Sequence, residues 1–283
     1  MSKISIEGKP IYALTGSPGV AVAGHLYLVY TNDNGEEFVL RGGPSNTEPP
    51  WGAVFVAPVT SIELSPDSRI DNGFAVTPAD RGNITLPLGN RSAEDIWNLL
   101  LQYGDHINNQ QIPYDATGPN SNTVIANLLY LIGIDVNEFL PDQLVQFAGL
   151  DLAYIGAGLE FSFNYTVDGT NHDDYIRGNG GNQTFNGGEG NDTLIGGSGS
   201  DTLFGGIGNN ILVGGADDDT YIVNNTNDVI IEQANGGLDQ VISRVTYTLS
   251  DNIENLTSPE QTRSMASATH WTTLSPVTVK RTY

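Results

Sequence analysis

Residues 169–222 read GTNHDDYIR, GNGGNQTFN, GGEGNDTLI, GGSGSDTLF, GGIGNNILV and GGADDDTYI: consecutive nonapeptides on the pattern Gly-Gly-x-Gly-x-Asp-x-(apolar)-x, the first two degraded. A nine-residue period held without a slip predicts stacked coils, each contacting only its neighbours, rather than a closed globular core. Glycines at positions one, two and four permit tight bends, and positions seven to nine favour strand, so each unit divides into a turn and a short strand. The eighth position is apolar in every unit (Ile176, Phe185, Leu194, Leu203, Leu212, Tyr221) and is expected to face inward as a thin core. A flexible glycine-rich linker would need no such position and would not keep register.

The sixth position carries the chemistry. It reads Asp174, Gln183, Asp192, Asp201, Asn210 and Asp219, so stacking the coils lines up carboxylates and side-chain amides along the turn edges. Like charges in such rows repel unless a cation sits among them. Calcium suits the geometry, since it takes six to eight oxygens from carboxylates and backbone carbonyls. The candidate metal set is therefore those six residues with the turn glycines Gly187, Gly188, Gly190, Gly196, Gly197, Gly199, Gly205, Gly206 and Gly208. Zinc is disfavoured, because the chain has no cysteine and no histidine pair at metal-ligand spacing.

These repeats resemble the RTX, or haemolysin-type, calcium-binding family. The resemblance implies a parallel β-roll with two nonapeptides per turn and ions between sixth-position residues eighteen apart. Asp174 would then share an ion with Asp192, and Asp201 with Asp219, while Gln183 with Asp201 and Asp192 with Asn210 make the weaker pairs. It also implies secretion, through a type I-like one-step exporter that reads an uncleaved C-terminal signal.

Composition agrees with a secreted calcium binder. The net charge of −22 and pI near 4.1 make nucleic acid and anionic membrane poor partners and cations natural ones. At 283 residues the chain has room for one ordinary domain beside the roll. No apolar stretch approaches the length of a membrane span, and MSKISIEGKP lacks the apolar centre of a signal peptide.

Residues 223–257 are expected to form a β-rich cap over the open end of the coil, with Val241-Ser243-Val245-Tyr247-Leu249 alternating as a strand and a turn at Gly236-Gly237. At Ser258 the character changes: residues 258–283 have no repeat, few acids and almost no glycine. Read in the frame that begins at the third codon base, Met265 to Thr278 can encode GIGNALDNTITGN, which looks like another roll unit. Three residues of it are forced, Gly by Met265-Ala266, Leu by His270-Trp271 and Asp by Trp271-Thr272. The tail is thus expected to be a frameshifted remnant, and whether it still supports export is left open by the sequence. An ordinary disordered terminus is the alternative.

Residues 1–158 form a separate α+β domain, with 159–168 as connector. The runs His25–Thr31 and Glu37–Arg41 flank Asn32-Asp33-Asn34-Gly35, a hairpin signal. Ser92-Ala93-Glu94-Asp95 opens a helix over IWNLLLQYGDHI, a second helix is predicted from about Asn122 to Leu131 with Gly133 ending it, and residues 142–159 suggest a short third. The overall expectation is an α+β N-terminal domain followed by a calcium-binding parallel β-roll and its cap.

The N-terminal domain offers little chemistry. HExxH and GxSxG are both absent, against the zinc-protease and lipase types. GHLYLVYTNDNGEEFVL followed downstream by GPNSNTVIANLL is similar to the circularly permuted NlpC/P60 and LRAT-like papain-type hydrolases. That likeness implies His25 as base and Ser121, in place of the family's cysteine, as nucleophile at a helix start acting on amides or esters. A helix N-terminus would assist through its dipole and free N–H groups. Plain alternatives are a helix-capping serine and a hydrogen-bonded histidine at a strand start. Two functions follow, a secreted calcium-binding structural or adhesion-type module and a secreted hydrolase whose roll uses calcium to fold.

Overall fold

In the computed structural model, which describes residues 1–12, 21–44, 54–59, 82–109, 121–134, 164–178 and 180–257, Asn32 to Glu36 turn the chain tightly. The Asn32 side chain accepts N–H bonds from Asn34 and Glu36, and Gly35 takes φ +81°. The flanking strands are β2 (Ala21–Thr31) and β3 (Glu37–Pro44), antiparallel with Thr31 opposite Glu37. With β1 (Lys3–Tyr12), β4 (Val54–Val59) and β5 (Gly82–Thr85) they form an antiparallel sheet ordered β4-β3-β2-β1-β5.

Two helices lie against this sheet, α1 (Ala93–Asn109) and α2 (Ser121–Leu131). Ser92 opens α1, its hydroxyl accepting the N–H of Asp95 at 3.4 Å, and Glu94 and Asp95 occupy the positive end of the helix dipole. The buried face of α1 is Ile96, Leu99, Leu100, Tyr103 and Ile107, at the spacing an amphipathic helix requires. Gly133, at φ +78°, ends α2 at the expected position. The third helix expected over 142–159 lies outside the described residues, as does the tail 258–283. No helix of the described residues is long and apolar enough to cross a membrane.

The chain divides at Leu159–Glu160, and the second unit is a parallel β-solenoid of about five turns over residues 165–257. One sheet holds β6 (Tyr165–Asp168), β8 (Gln183–Asn186), β10 (Thr202–Phe204), β12 (Thr220–Val223), β14 (Gln240–Ser243) and β15 (Asn255–Thr257) in spatial order. The other holds β7 (Tyr175–Arg177), β9 (Thr193–Ser198), β11 (Ile211–Ala216) and β13 (Val229–Ile231). Successive nonapeptides alternate between sheets, so two make a turn and Thr202 pairs with Thr184 below and Thr220 above.

Between the sheets lies the apolar ladder. Ile176, Phe185, Leu194, Leu203, Leu212 and Tyr221 are completely buried, joined by Val167, Ile230 and Val241. Each such side chain removed from water contributes about 1.5–3 kcal/mol against the entropy of ordering its coil. A second ladder holds the coils from outside. Oδ1 of Asn182 accepts the N–H of Ser200 and Oδ1 of Asn191 that of Asn209, both at 3.0 Å and eighteen residues onward.

The solenoid exceeds the repeats at both ends. Residues 165–168, assigned to a connector, are already its first strand, paired with β8. The segment expected to stop pairing as a cap instead continues it, with β13 on β11, β14 on β12 and β15 on β14. The cause is local: Asp228-Val229-Ile230 keeps the turn-to-strand spacing of Asp219-Thr220-Tyr221 after the glycines have gone. From there the pitch loosens, Thr220 pairing twenty residues on with Gln240, and Gln240 fifteen on with Asn255. The strand expected through Leu249 ends at Ser243. The Ser243 hydroxyl donates to the Val245 carbonyl at 2.7 Å and meets the Val245 N–H at 3.2 Å, which folds the backbone into a turn.

Candidate metal centre

At each turn the sixth residue enters the solenoid beside the apolar ladder, and this is where polar atoms are forced into a dry environment. Asp174, Gln183, Asp192, Asp201, Asn210 and Asp219 are all buried. One oxygen of each later residue is used between coils. Oδ1 of Asp192 accepts the N–H of Asp174 at 2.8 Å, Oδ1 of Asp201 that of Gln183 at 2.6 Å, and Oδ1 of Asp219 that of Asp201 at 2.8 Å. Residues eighteen apart are thus brought together, by a carboxylate on a backbone N–H.

The second oxygen turns back over its own glycine turn. Oδ2 of Asp192, Asp201 and Asp219 is buried and has no hydrogen-bond partner among the described residues. Leaving such an atom unsatisfied in a protein interior costs on the order of 1–3 kcal/mol, more when it is charged. Burial pushes the Asp192 and Asp201 carboxyls up to about 7, with Asp174 and Asp173 adding to the first and Asp217 to the second. Asp219 is raised to about 8 by burial, then by the charges of Asp201, Glu232 and Asp239.

The turn glycines let carboxylate and carbonyl oxygens pack directly against the backbone. A Cβ at Gly187 would run into Asp192 Oδ2 and lie 2.5 Å from the Gly205 carbonyl oxygen; at Gly196 it would meet Asp201 Oδ2 and lie 2.7 Å from that of Gly214. A carboxylate oxygen and a carbonyl oxygen of the next coil therefore converge on one space. Gly188, Gly190, Gly197, Gly199, Gly206 and Gly208 all adopt positive φ, and in the last repeat Asp217 does so at +74°. These donors are all hard oxygens, which fit calcium and not a thiophilic metal.

The other three residues of the row differ. Asp174 Oδ2 accepts from the N–H and hydroxyl of Thr170, at 2.6 and 2.9 Å. Gln183 sets a neutral amide oxygen towards Gly178, its Nε2 donating to Gly180. Asn210 gives its Oδ1 to the N–H of Asp192 and so turns Nδ2, a donor, towards Gly205. The same Nδ2 donates to Asp228 Oδ1 at 3.1 Å.

Sequence reasoning ended the row too early. Asp228 and Asp239 are buried and continue it, Oδ1 of Asp228 accepting the N–H of Asn210 at 3.0 Å and that of Asp239 the N–H of Asp219 at 2.8 Å. Oδ2 of Asp239 is again without a hydrogen-bond partner among the described residues. Glu254 closes the series by accepting the N–H of Asp239 at 2.9 Å. The legible signal was the Asp-x-apolar triplet, present at Asp228-Val229-Ile230 and again at Asp239-Gln240-Val241.

Residues 168–203 and 195–230 match the family model for the RTX calcium-binding nonapeptide repeat (4 copies). The roll is similar to that family. No curated protein and no solved structure matches the chain. RTX repeats in a parallel β-solenoid fit a calcium-binding RTX protein. In the N-terminal unit, His25 lies in β2 opposite Lys9 and Ser121 is the first residue of α2, which packs on β2. Their side chains fall outside the described residues, and the comparisons do not support a papain-type resemblance.

Proposed function

We propose that the solenoid is a calcium-dependent folding module of a secreted protein, disordered while calcium is scarce and stacked into a roll where it is plentiful. The observation that carries this reading is the set of buried Oδ2 atoms on Asp192, Asp201, Asp219 and Asp239 that find no hydrogen bond. Without a cation these atoms oppose stacking, and with one they become its ligands. Because no site exists in the unfolded chain, the binding free energy is folding free energy. In this reading Asn210 serves mainly as a coil-to-coil connector, while the Asp174 and Gln183 side chains brace their own turns.

Extracellular calcium modules bind at about 0.1–1 mM, far above cytosolic calcium, so such a chain stays unfolded inside and folds outside. Secretion through a one-step exporter accords with that switch and with the family's habit. No hydrolytic activity is proposed for the N-terminal unit. The test is far-UV circular dichroism of the full chain through a calcium titration from EGTA. Residues 165–257 should gain β-structure over about 0.1–1 mM free calcium. A spectrum that is the same in EGTA and in calcium overturns the reading.

A further inference from the structure

At the end of the repeats, Asp219 of the last nonapeptide and Glu232 and Asp239 beyond it each bring a carboxylate oxygen to within 4.8 Å of the others. Glu232 and Asp239 stand outside every repeat and beyond the residue 230 limit of the family match. Three carboxylates at this spacing repel one another, Asp219 and Asp239 in a dry setting and Glu232 half-buried, and among the described residues none of them has a salt-bridge partner. Asp219 and Asp239 are each only 1% exposed, and Oδ2 of both lacks a hydrogen bond.

The space between them is bounded. A Cβ at Gly214 would meet Asp219 Oδ2, the Tyr221 hydroxyl and, at 2.6 Å, Glu232 Oε1. A Cβ at Gly236 would lie 2.7 Å from Glu232 Oε2 and 2.8 Å from the Gly215 carbonyl. The Tyr221 hydroxyl donates to Glu232 Oε1, which fixes the direction of that carboxylate. Carboxylate oxygens of Asp219, Glu232 and Asp239 thus gather within 4.8 Å of one another, with the backbone of Gly214 packed against the first two and that of Gly236 against Glu232.

We infer that Asp219, Glu232 and Asp239 form a terminal site for a calcium-class divalent cation, distinct in ligand set from the repeat turns, which fastens residues 232–239 to the end of the repeats. It rests on the calcium reading only for the identity of the ion. A repeat turn offers one orphan carboxylate oxygen and carbonyls, whereas this site offers three carboxylates. It therefore binds its ion more tightly than the repeat turns do and is filled first in a titration.

The experiment is isothermal calcium titration of the full chain beside Glu232→Gln, Asp239→Asn and Asp192→Asn, with terbium(III) luminescence excited through tyrosine as a second readout. Asp239→Asn retains an Oδ1 for the Asp219 N–H, so the coil connection survives. Glu232→Gln and Asp239→Asn should each lower the number of ions bound by one and weaken the first binding step by at least about tenfold. Circular dichroism at saturating calcium should still reach the wild-type value. Terbium luminescence at the first equivalent should vanish in Tyr221→Phe, whose removed phenol is the adjacent antenna. Unchanged stoichiometry in both terminal variants overturns the site. If wild type binds a single ion that Glu232→Gln abolishes and Asp192→Asn does not, the terminal site stands and the repeat-turn reading fails. A single ion abolished by Asp192→Asn and not by Glu232→Gln overturns the terminal site and leaves the repeat turns as the binders.

Discussion

Oδ1 of Asp219 accepts the backbone N–H of Asp201 at 2.8 Å, while Oδ2 of the same carboxylate faces a buried space without a hydrogen bond. In the proposed reading one side chain therefore does two jobs that respond oppositely to its charge. The coil-to-coil bond tolerates a neutral acid, and the metal requires an anion.

This predicts a pH dependence that reverses with calcium. The carboxyls of Asp192 and Asp201 are pushed up to about 7 and that of Asp219 to about 8, chiefly by burial, against about 3.9 in an unfolded chain. An acid whose folded value is raised stabilises the fold fully below its unfolded value and loses that contribution as pH rises through the folded one. The metal-free roll should therefore gain β-structure on acidification from about pH 8 towards about pH 4. In calcium, affinity should fall over the same interval, because protons compete for the ligands. Circular dichroism of chelated protein and calcium titrations at several pH values check both limbs.

Conservative and truncating substitutions at Asp201 should separate its two roles. Asp201→Asn keeps an acceptor for the Gln183 N–H, now at 2.6 Å, and replaces the ligand oxygen by a donor, the arrangement already present at Asn210. At mildly acid pH without metal its stability should equal wild type, whereas Asp201→Ala should lose about 1–3 kcal/mol for a buried N–H left unpaired. Both should raise the calcium midpoint at neutral pH. Urea denaturation and calcium titration give the two quantities.

The connectivity of the coils was readable from the nonapeptides, because a strict period, an apolar eighth position and glycine turns leave one architecture. Helix α2 and the β2–β3 hairpin were readable for the same reason, each marked by its own turn residues. The extent of the solenoid was not. At Asp228 the glycines vanish, and the pattern survives only as Asp-x-apolar, a spacing too short to stand out until the stacking of β13 on β11 is seen. Glu232 was invisible in sequence because it keeps no register with the sixth-position row. Its role comes from a loop that returns it to Tyr221.

At Gly208, the fourth position of its repeat, glycine is required by backbone approach. There φ is +140° and a Cβ would overlap the Gly190 carbonyl oxygen. Gly208→Ala should cost about 1–2 kcal/mol for the φ alone, and overpacking adds about 1–3 kcal/mol. Gly35→Ala, also at positive φ but with nothing within 4 Å, should incur only the first cost, in the other unit. Thermal melts in saturating calcium should show a large loss for the first variant and a small one for the second.

The exposed fifth-position ladder should be separable from metal binding. Asn191→Ala removes the acceptor for the Asn209 N–H, a solvent-facing bond of 3.0 Å. The expected loss is about 0.5–1.5 kcal/mol in calcium. The number of ions bound should not change, which calorimetry reads directly.

Fifth-position oxygens reach forward along the solenoid, as from Asn182 to the Ser200 N–H, and sixth-position oxygens reach backward, as from Asp201 to the Gln183 N–H. The same two reaches recur from Asp173 to the Asn191 N–H and from Asp219 to the Asp201 N–H, giving the coils complementary edges. Copying or losing eighteen residues, such as 187–204, joins like edge to like edge and only alters the reach of the rod. Losing nine, such as 187–195, sends every later strand to the opposite sheet, including β14, whose twenty-residue spacing from β12 belongs to one side. Heritable length change in this half of the molecule is therefore quantised in whole turns.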